Sequence, residues 1–477
     1  MNKKVTGLTL PKLAVATILA TFAAQSVYAE DLLIKLASPM SAKLATQNLM
    51  SSGLKSEVIA GDWIRVQGNV KQSQFRSVME SSAVEYIQKN YKIHLLNNPS
   101  LEKAKKQFLA RGGDLNALKG STPTPQDNPA IPAPPAATTG ADPLYNNQWG
   151  MIDIGVQNAW KLNAGKPIVV AVIDTGVDYT HEDLAANMWR NEKEIPDNGI
   201  DDDKNGYIDD IVGWDMVSND NKPYDLASTN VGDLFNGKNP GHGTHCAGNV
   251  GAVANNGKGV VGVAPNAKIM ALRFIGYEGG GTTADAVRAI RYAVDNGAKV
   301  LSNSWGSEGE DPADAEGNKA LRDAIQYAMD HDVLFVAAAA NSGKDNDTVK
   351  DPAYPASYPH DNIISVAAID SKDGLAGFSN YGKTTVDVGA PGVKIFSTTF
   401  GNKYADTLIP IMNVTWDGTS MACPHVAGAA ALYWSAHPEK HWKDVKEAIL
   451  ASVKRIPSLE GKTLTGGKLN VEELMKH

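Results

Sequence analysis

Four short stretches rich in Gly or Ala each contain one side chain suited to hydrolytic chemistry. An apolar run ends in Asp174, His242 stands in Gly-His-Gly-Thr-His, and Asn341 follows four alanines. Ser420 lies within Gly-Thr-Ser-Met-Ala-Cys-Pro-His. A hydroxyl nucleophile, an imidazole base, a carboxylate to orient that base and an amide donor for a developing oxyanion together suit nucleophilic acyl transfer.

Each of these residues, taken alone, has a simpler explanation. Asp174 suits a loop cap after a strand, Ser420 suits a helix N-cap, and Asn341 suits a turn. His242 and His245 are three residues apart and would suit a metal pair, although no third ligand accompanies them in the sequence. The chemical interpretation therefore depends on all four stretches occurring in one chain.

The order Asp, His, Asn, Ser in these settings resembles the subtilisin-like serine proteases, or subtilases, over about residues 142–477. The resemblance implies that Ser420 attacks a peptide carbonyl and that His242 takes its proton and returns it to the leaving amine. It also implies that Asp174 orients the histidine. Asn341 and the Ser420 backbone N–H would then form the oxyanion hole.

The same resemblance implies how a substrate is held. The edges of the cleft would be Ser304, Trp305 and Gly306 on one side, and Gly279, Gly280 and Gly281 on the other. An extended peptide would lie between them by strand addition, although a triple glycine alone would also suit a flexible loop. Ala338 and Ala340 are expected to line the pocket for the residue before the cut, and Ala340 departs from the glycine that is usual there.

A second feature is an acidic insert, termed here the acidic loop, whose candidate ligands are Asp201, Asp203, Asn205, Tyr207, Asp209 and Asp210. Oxygen ligands at every second position around Gly206 suit Ca²⁺, although Val212 stands where a complete EF-hand has its closing glutamate. The alternative is a solvated acidic loop. Inserts of this kind recur in calcium-stabilised subtilases, so structural calcium is the expected cofactor. A second calcium site, Asp142, Asp183 and Asn256, is implied by the resemblance alone.

From residue 142 onward, short apolar runs alternate with helical patterns, which predicts an α/β fold with a parallel sheet buried on both faces. The predicted strands are residues 168–173, 268–273, 300–304, 333–338 and 363–366. The predicted helices are residues 283–296, 318–330 and 420–437, with Pro424 expected in the first turn of the last one.

Residues 30–96 predict a small two-layer α+β domain that is ferredoxin-like. Its predicted strands are residues 31–36, 58–66 and 84–95, and its predicted helices are residues 41–50 and 72–80. The resemblance to subtilases implies that this domain is an inhibitory, folding-assisting prodomain, and hence a partner of the catalytic domain.

Two further regions complete the predicted domain organisation. Residues 1–29 have a cationic start, an apolar run and a small-residue end, which indicates a secretory signal peptide in preference to a retained membrane anchor. Residues 97–140 form a predicted Pro-rich linker before the catalytic domain, residues 141–477. Residues 30–140 carry 13 basic and 9 acidic side chains, whereas residues 141–477 carry 29 and 44. These opposite charges favour docking of the two parts.

Composition excludes several function classes. The chain of 477 residues has only 2 Cys, which excludes a disulfide scaffold and a Cys-rich zinc module, and its net charge of −8 argues against nucleic acid as the main partner. Cys246 and Cys423 lie near His242 and Ser420 in sequence, and a disulfide between them is possible.

We therefore expect a monomeric, secreted serine endopeptidase that acts on extended peptides and is made as a self-processed zymogen. It would act outside the cell or in a periplasm, without membrane association once the signal is removed. The linker would be cut between about residues 120 and 141. The alternative enzyme class is an α/β-hydrolase esterase, which needs a different order of catalytic residues. A carboxyl-type serine protease of related fold is a further alternative, and the alternative binding class is an inactive, calcium-dependent adhesin.

Overall fold

The structure is a computed structural model that describes residues 28–51, 53–70, 84–118, 128–135, 139–162, 165–308, 317–350 and 352–477. The chain divides into two compact units, with the boundary between Asn90 and Tyr91. In the described part of the chain, no helix combines the length and the apolar character needed to cross a membrane.

An antiparallel four-stranded sheet forms the N-terminal unit, in the order Lys55–Ala60, Trp63–Val70, Tyr28–Leu36, Val84–Lys89. The helix Pro39–Ser51 buries Ala42, Ala45 and Leu49 in the core of this unit. The strand predicted at residues 31–36 and the helix predicted at residues 41–50 are therefore confirmed. The helix predicted at residues 72–80 lies outside the described residues.

Two strand predictions in this region were wrong in extent. The run at residues 58–66 is split into two strands, because Gly61 takes a left-handed φ of 54° and the chain reverses there. The run at residues 84–95 is also split, since Val84–Lys89 ends in the N-terminal unit and Lys92–Leu95 belongs to the C-terminal unit. In both runs the apolar residues are continuous in sequence, and periodicity does not reveal such breaks.

A nine-stranded sheet forms the centre of the C-terminal unit. Its strands lie in the order Lys454–Arg455, Gly467–Lys468, Val388–Pro391, Ile363–Ile369, Leu334–Ala338, Val300–Asn303, Val169–Asp174, Lys268–Arg273, Gly213–Asp215. All neighbouring pairs are parallel except the first, which is antiparallel. The five strands predicted from short apolar runs are all present in this sheet.

Helices cover this sheet in two pairs. The helices Thr283–Asp295 and Lys319–Asp330 pack on each other, as do His242–Gly251 and Thr419–Ala436. Every residue of the strand Leu334–Ala338 is buried, as expected for a parallel strand covered on both faces. The predicted α/β fold class and the three predicted helices are confirmed.

Smaller elements surround this core. A second four-stranded sheet has the order Ala353–Tyr354, Trp305–Glu308, Lys92–Leu95, Gly280–Thr282, and two hairpins pair Ser397–Thr399 with Lys403–Ala405 and Thr407–Ile409 with Val414–Thr415. The short helices are Tyr145–Asn147, Trp149–Asp153, Val156–Trp160, Ala185–Asn187, Val231–Phe235, Pro410–Met412, Pro457–Leu459 and Val471–Leu474, and a longer one is Trp442–Ala451.

Close helix packing places the start of Thr419–Ala436 in the core. A Cβ added at Gly428 would come within 2.7 Å of Val263 and 3.1 Å of the Val250 carbonyl, so only glycine allows this approach. Pro424 is the sixth residue of this helix, so the expectation of a first-turn proline was wrong. A proline at this position cannot donate to the carbonyl four residues earlier, which belongs to Ser420.

The segment predicted as a linker contains a helix. Residues Pro99–Ala110 form it, and a 3₁₀ turn follows at Leu115–Leu118. Asn98 caps the helix, since its Oδ1 accepts from the Leu101 N–H at 3.0 Å, and proline occupies the first helical position. The Pro-rich composition lies further along, at residues 121–140, and it concealed the helical residues that precede it.

Candidate active site

A buried aspartate and histidine meet at the carboxyl edge of the central sheet. Asp174 ends the strand Val169–Asp174, and His242 is the first residue of the helix His242–Gly251. The two atoms Nδ1 of His242 and Oδ1 of Asp174 are 2.7 Å apart, and both side chains are almost completely buried. The Thr175 N–H donates to the same carboxylate oxygen at 2.8 Å and fixes its orientation.

The ring of His242 has its other nitrogen directed away from Asp174. Among the described residues, no hydrogen-bond partner lies at its Nε2. Burial of the ring disfavours its charged form, but the Asp174 carboxylate outweighs that effect and raises the pKa of His242 well above its usual value. Because His242 accepts a proton only when neutral, its neutral form is the one that can act as a base.

Ser420 is the second residue of the helix Thr419–Ala436 and is buried. Its Oγ donates to the Ser304 carbonyl at 3.0 Å, and not to His242. The thiol of Cys246 links the two residues, because its Sγ lies 3.9 Å from His242 Nδ1 and 3.5 Å from the Ser420 carbonyl. Transfer of a proton from Ser420 to His242 thus requires rotation of the serine side chain.

The carbonyl of Ser420 is held by side chains. Pro424 leaves it without the usual helical N–H partner, and the hydroxyl of Ser304 donates to it at 2.9 Å. Ser304 therefore contacts both the side chain and the backbone of Ser420, and it joins the cleft edge to the start of the helix.

Asn341 faces the start of the same helix. Its Oδ1 accepts from the backbone N–H and the hydroxyl of Thr419, both at 2.9 Å, so its Nδ2 points away from the helix. That Nδ2 donates to the carbonyl of Asn97 at 2.9 Å. Ala340 has a left-handed φ of 89°, a conformation that favours glycine.

A strand of the chain itself occupies the predicted cleft. Lys92–Leu95 pairs antiparallel with Gly280–Thr282 on one side and with Trp305–Glu308 on the other. The predicted edge residues Gly280, Gly281, Trp305 and Gly306 make this pairing, and the Gly279 carbonyl accepts from the Leu95 N–H at 3.2 Å. The triple glycine is thus ordered strand and turn in this structure.

The residue after this strand fills an apolar site. Leu96 is buried in the hydrophobic core of the C-terminal unit, and its Cδ2 lies near Gly306. The side chain of Asn97, by contrast, is exposed. Sequence reasoning missed both residues, because nothing in their local pattern distinguishes them from the rest of the segment.

Asp225 was also missed, although its carboxylate is completely buried behind Asp174 and His242. Its Oδ1 accepts from the Thr175 hydroxyl at 2.8 Å and from Asn239 Nδ2 at 2.7 Å. Its Oδ2 accepts from the N–H and hydroxyl of Thr244 at 2.9 and 2.5 Å. Burial raises the pKa of Asp225 to about 6, and the four donors oppose that rise.

Asn239 extends this network to the histidine. Its Oδ1 accepts from the backbone N–H groups of Gly241 and His242, at 2.9 and 3.1 Å. Asp225 is thus connected through Thr175 to the loop after Asp174 and through Asn239 to the first turn of the histidine helix. Asn239 could have been predicted to lie near the site, because it is three residues before His242. Asp225 is 17 residues before His242, and no local pattern indicated its position.

The other buried groups near the site do not suit metal binding. The ring of His245 stacks on Trp416 at 4.3 Å and bonds the Ile395 carbonyl, and burial lowers its pKa to about 3. Asp174, His242 and Cys246 each bring a ligand atom within 4.8 Å of the others. Burial raises the pKa of the Cys246 thiol, however, which disfavours the thiolate that a metal needs. Cys246 and Cys423 are both free, so the possible disulfide is not formed.

In the acidic loop, the structure brings together Asp201, Asp203 and Glu194, whose carboxylate oxygens lie within 4.8 Å of one another. Glu194 was missed because it precedes the loop. Asp201 also accepts from the N–H groups of Asn205 and Gly206, which shapes the turn.

The other predicted ligands of the loop are oriented by protein donors. Asp209 accepts from the N–H groups of Asn198 and Gly199. Asp210 accepts from the Tyr292 hydroxyl at 2.5 Å and from Asn191 and Asn205. The Asn205 Oδ1 accepts from the Tyr207 N–H at 2.8 Å.

The second candidate ion site is partly assembled. Asn256 Nδ2 donates to Asp183 Oδ1 at 2.7 Å, and Asp142 accepts from the N–H of Asn256 at 3.2 Å. Burial raises the pKa of Asp183 to about 7, and the nearby Asp142 carboxylate adds to the rise. A cation at this position would stabilise both carboxylates in their charged form.

Comparison with known proteins identifies the family. A family model described as the subtilase family, Peptidase S8, matches residues 165–470. A thermophilic serine proteinase of Bacillus sp. (strain AK1) is 37% identical over 337 residues, which cover 70% of this chain and 69% of that protein. Thermitase of Thermoactinomyces vulgaris is 38% identical over 295 residues, 62% of this chain and 85% of that protein.

A third relative, fervidolysin of Fervidobacterium pennivorans, is 32% identical over 382 residues, 76% of this chain and 45% of that protein. The match of the family model covers more than half of the sequence, and it includes the stretches around Asp174, His242, Asn341 and Ser420. The chain therefore belongs to the subtilase family and is a subtilisin-like serine endopeptidase.

Proposed function

We propose that this endopeptidase is secreted as a precursor, cuts its own chain beside the strand that occupies its cleft, and then hydrolyses extended peptides. The observation that carries this proposal is the position of Lys92–Leu95. It pairs with both predicted edges of the cleft, and the chain then continues past Asn341. A substrate held by strand addition would follow the same path.

In the proposed mechanism, Asp174, His242 and Ser420 act as a catalytic triad. Ser420 Oγ rotates toward His242 Nε2, loses its proton to that nitrogen and attacks the peptide carbonyl. The resulting imidazolium is stabilised by Asp174 and then protonates the leaving amine. Water, activated by His242, hydrolyses the acyl-enzyme. The 2.7 Å contact between His242 and Asp174 supports these roles, because it leaves Nε2 as the nitrogen that exchanges protons.

We assign the oxyanion hole to Asn341 Nδ2 and the Ser420 backbone N–H. The amide is already oriented, since both donors of Thr419 hold its oxygen. Once its Nδ2 faces the reacting carbonyl, such a donor stabilises the negative charge that develops on the carbonyl oxygen. The N–H of Ser420 lies in the first turn of its helix, where it has no intrahelical acceptor.

We propose Leu96–Asn97 as the first bond to be cut. Leu96 is buried near Gly306 of the predicted cleft edge, whereas the Asn97 side chain is exposed, so Leu96 has the environment expected of the residue before the cut. The Asn341 amide contacts the carbonyl of Asn97, one peptide further on, and attack at Leu96 requires this amide to shift to the Leu96 carbonyl. This cut would release residues up to 96 as the inhibitory prodomain, and the pocket would prefer an apolar side chain such as leucine.

Secretion and calcium complete the proposal. The sequence pattern of residues 1–29 supports export before maturation. For calcium, Asp201, Asp203 and Glu194 supply carboxylate oxygens around one point, with Asn205 adjacent, as hard cations require. The bound ion would reduce the repulsion between these carboxylates and would be structural. Asp142, Asp183 and Asn256 are proposed as a second calcium site.

The first prediction concerns self-cleavage. The wild-type precursor should yield a fragment whose new N-terminus is Asn97, and Ser420→Ala should remain uncut because it lacks the nucleophile. Intact mass and N-terminal sequencing of both purified proteins, with fluorophosphonate labelling of the wild type, provide the measurement. A new N-terminus at Asn98 would disprove the assignment of the bond, and equal cutting of Ser420→Ala would disprove self-cleavage.

A second prediction concerns Asn341. Replacement by alanine should lower kcat by about 10²- to 10³-fold, the loss found when such an amide is removed from a subtilisin, with little change in KM. Steady-state kinetics on a peptide p-nitroanilide test this, and Ser342→Ala, at the exposed neighbouring residue, serves as the control. A loss seen mainly in KM would contradict the assignment.

A third prediction identifies Asp225 as a positioning residue. In Asp225→Asn the new NH₂ group must face protein donors, which costs about 1–3 kcal/mol and disturbs the alignment of Asp174 and His242. We expect kcat to fall about tenfold or more and KM to change less than threefold. Asp233→Asn is the control, since Asp233 lies in the same segment and bonds Ser228 and Tyr277 instead. A loss of stability with unchanged kcat would refute this role.

The fourth prediction concerns the acidic loop. Calcium at about 100 times its Kd should raise the unfolding free energy by about 3 kcal/mol and the Tm by several degrees. Asp201→Asn/Asp203→Asn should lose most of that rise, whereas Asp202→Asn should keep it, because Asp202 bonds Ile195 and Asn198 outside the cluster. Calorimetry with calcium and with chelator gives the result, and an equal Tm rise in the double variant would argue against this site.

A further inference from the structure

An apolar surface lies beside the start of the serine helix and holds the chain that follows the proposed cut. It is formed by Val231, Leu234 and Phe235 of a short helix, and by Ile409, Met412 and Val414 of the last hairpin region. We call it the leaving-group surface. Its two parts are about 175 residues apart in sequence, and the helix Pro99–Ala110 packs across both.

The helix Pro99–Ala110 contacts this surface through one face. Ala104 is buried there, and Leu101 and Phe108 pack against the same cluster. The rings of Phe108 and Phe235 lie 5.9 Å apart. Leu109, on another face of the helix, is 46% exposed. The 3₁₀ turn Leu115–Leu118 extends the contact, since a Cβ at Gly232 would come within 2.6 Å of the Leu118 carbonyl.

Polar contacts fasten the start of this helix close to the nucleophile. Asn98 Nδ2 donates to the Thr415 carbonyl at 3.0 Å, and the Thr415 N–H donates to Ser100 Oγ at 3.1 Å. Thr415 in turn donates to Asp417, three residues before Ser420. The chain therefore leaves the proposed scissile bond along the side of the site where the leaving half of a substrate must lie.

The far end of the segment is also attached to the C-terminal unit. The Tyr179 hydroxyl donates to the Pro129 carbonyl at 2.8 Å, and the Gly140 N–H donates to the Asn255 carbonyl at 2.9 Å. A cut at Leu96–Asn97 thus frees only one end of the segment. Its continued covalent attachment keeps its effective concentration at the surface high.

We propose that residues 97–118 stay on the leaving-group surface after the first cut and block the leaving-group side of the cleft. This inference rests on the proposed self-cleavage. The enzyme that begins at Asn97 cleaves substrates that have no residues after the scissile bond, but it cleaves longer polypeptides poorly. Full activity then requires a second event that removes the helix, which agrees with the processing expected between about residues 120 and 141.

The test compares two substrates on the enzyme that begins at Asn97, separated from the released fragment by ion exchange. One is an acylated tetrapeptide p-nitroanilide with leucine before the cut. The other is an internally quenched peptide with the same four residues followed by five more. Fluorophosphonate titration of Ser420 normalises each preparation to its folded, active fraction, so that misfolded protein does not affect the comparison.

The variant Leu101→Ala/Phe108→Ala removes the contacts of the helix with the surface, and alanine preserves its helical propensity. We expect kcat/KM for the quenched peptide to rise about tenfold or more, with the p-nitroanilide rate unchanged within twofold. Leu109→Ala, at the exposed face, should behave as wild type on both substrates.

Equal cleavage of the quenched peptide by wild type and by the double variant, with a normal p-nitroanilide rate, would overturn the inference and leave the proposed function intact. Absence of p-nitroanilide hydrolysis in all three proteins would overturn the proposed function, and this inference with it. An increase in both rates in the double variant would also overturn it, because the helix would then not act on the leaving-group side alone.

Discussion

The buried hydrogen bond between Asp174 and His242 is the interaction on which the arrangement of the site depends. It joins the end of a central strand to the first residue of a helix, and both side chains are almost completely buried. Burying a carboxylate is costly unless donors satisfy it. The Thr175 N–H donates to Asp174, and Asp225 and Asn239 hold Thr175 and the first turn of the histidine helix in place, so this network supports the contact. The contact also requires small residues beside it, since a Cβ at Gly243 would come within 2.0 Å of the Gly176 carbonyl.

Ser420 is positioned by a different set of contacts. Its helix is almost wholly buried, and Pro424 releases the Ser420 carbonyl from the helical pattern. Ser304 takes up that carbonyl and also accepts the serine hydroxyl through its own backbone. The same segment, Trp305–Glu308, pairs with the strand in the cleft. Ser304 thus connects the edge strand to Ser420, and in the proposed mechanism this would keep a bound backbone in register with the reacting hydroxyl.

The strand Lys92–Leu95 and the helix Pro99–Ala110 lie on the two sides of the same site. The strand is held mainly by backbone hydrogen bonds and so depends little on its sequence. The helix, in contrast, is held by an apolar cluster and depends on particular side chains such as Phe108. Under the proposed self-cleavage, the two sides would have different requirements for release, because the cut would free the end of the strand, whereas the packed helix would stay tethered.

Local pattern was sufficient to propose the reacting residues and their order along the chain, and it predicted the buried strands and helices of the central sheet. Short stretches of sequence are enough to indicate these features. A parallel strand covered on both faces must consist of apolar residues, and a helix next to a reacting group must have small residues where it packs closely. The linker prediction failed where the helix Pro99–Ala110 lies, since its stabilising partners are more than a hundred residues away.

The same limit applies to Asp225, Glu194 and Leu96, whose surroundings are set by long-range neighbours and not by adjacent residues. The sequence by itself therefore indicated subtilase chemistry. Only the tertiary structure revealed the hydrogen-bond network behind the histidine, the burial of Leu96 and the surface that holds the helix, because each joins segments whose proximity no local pattern records.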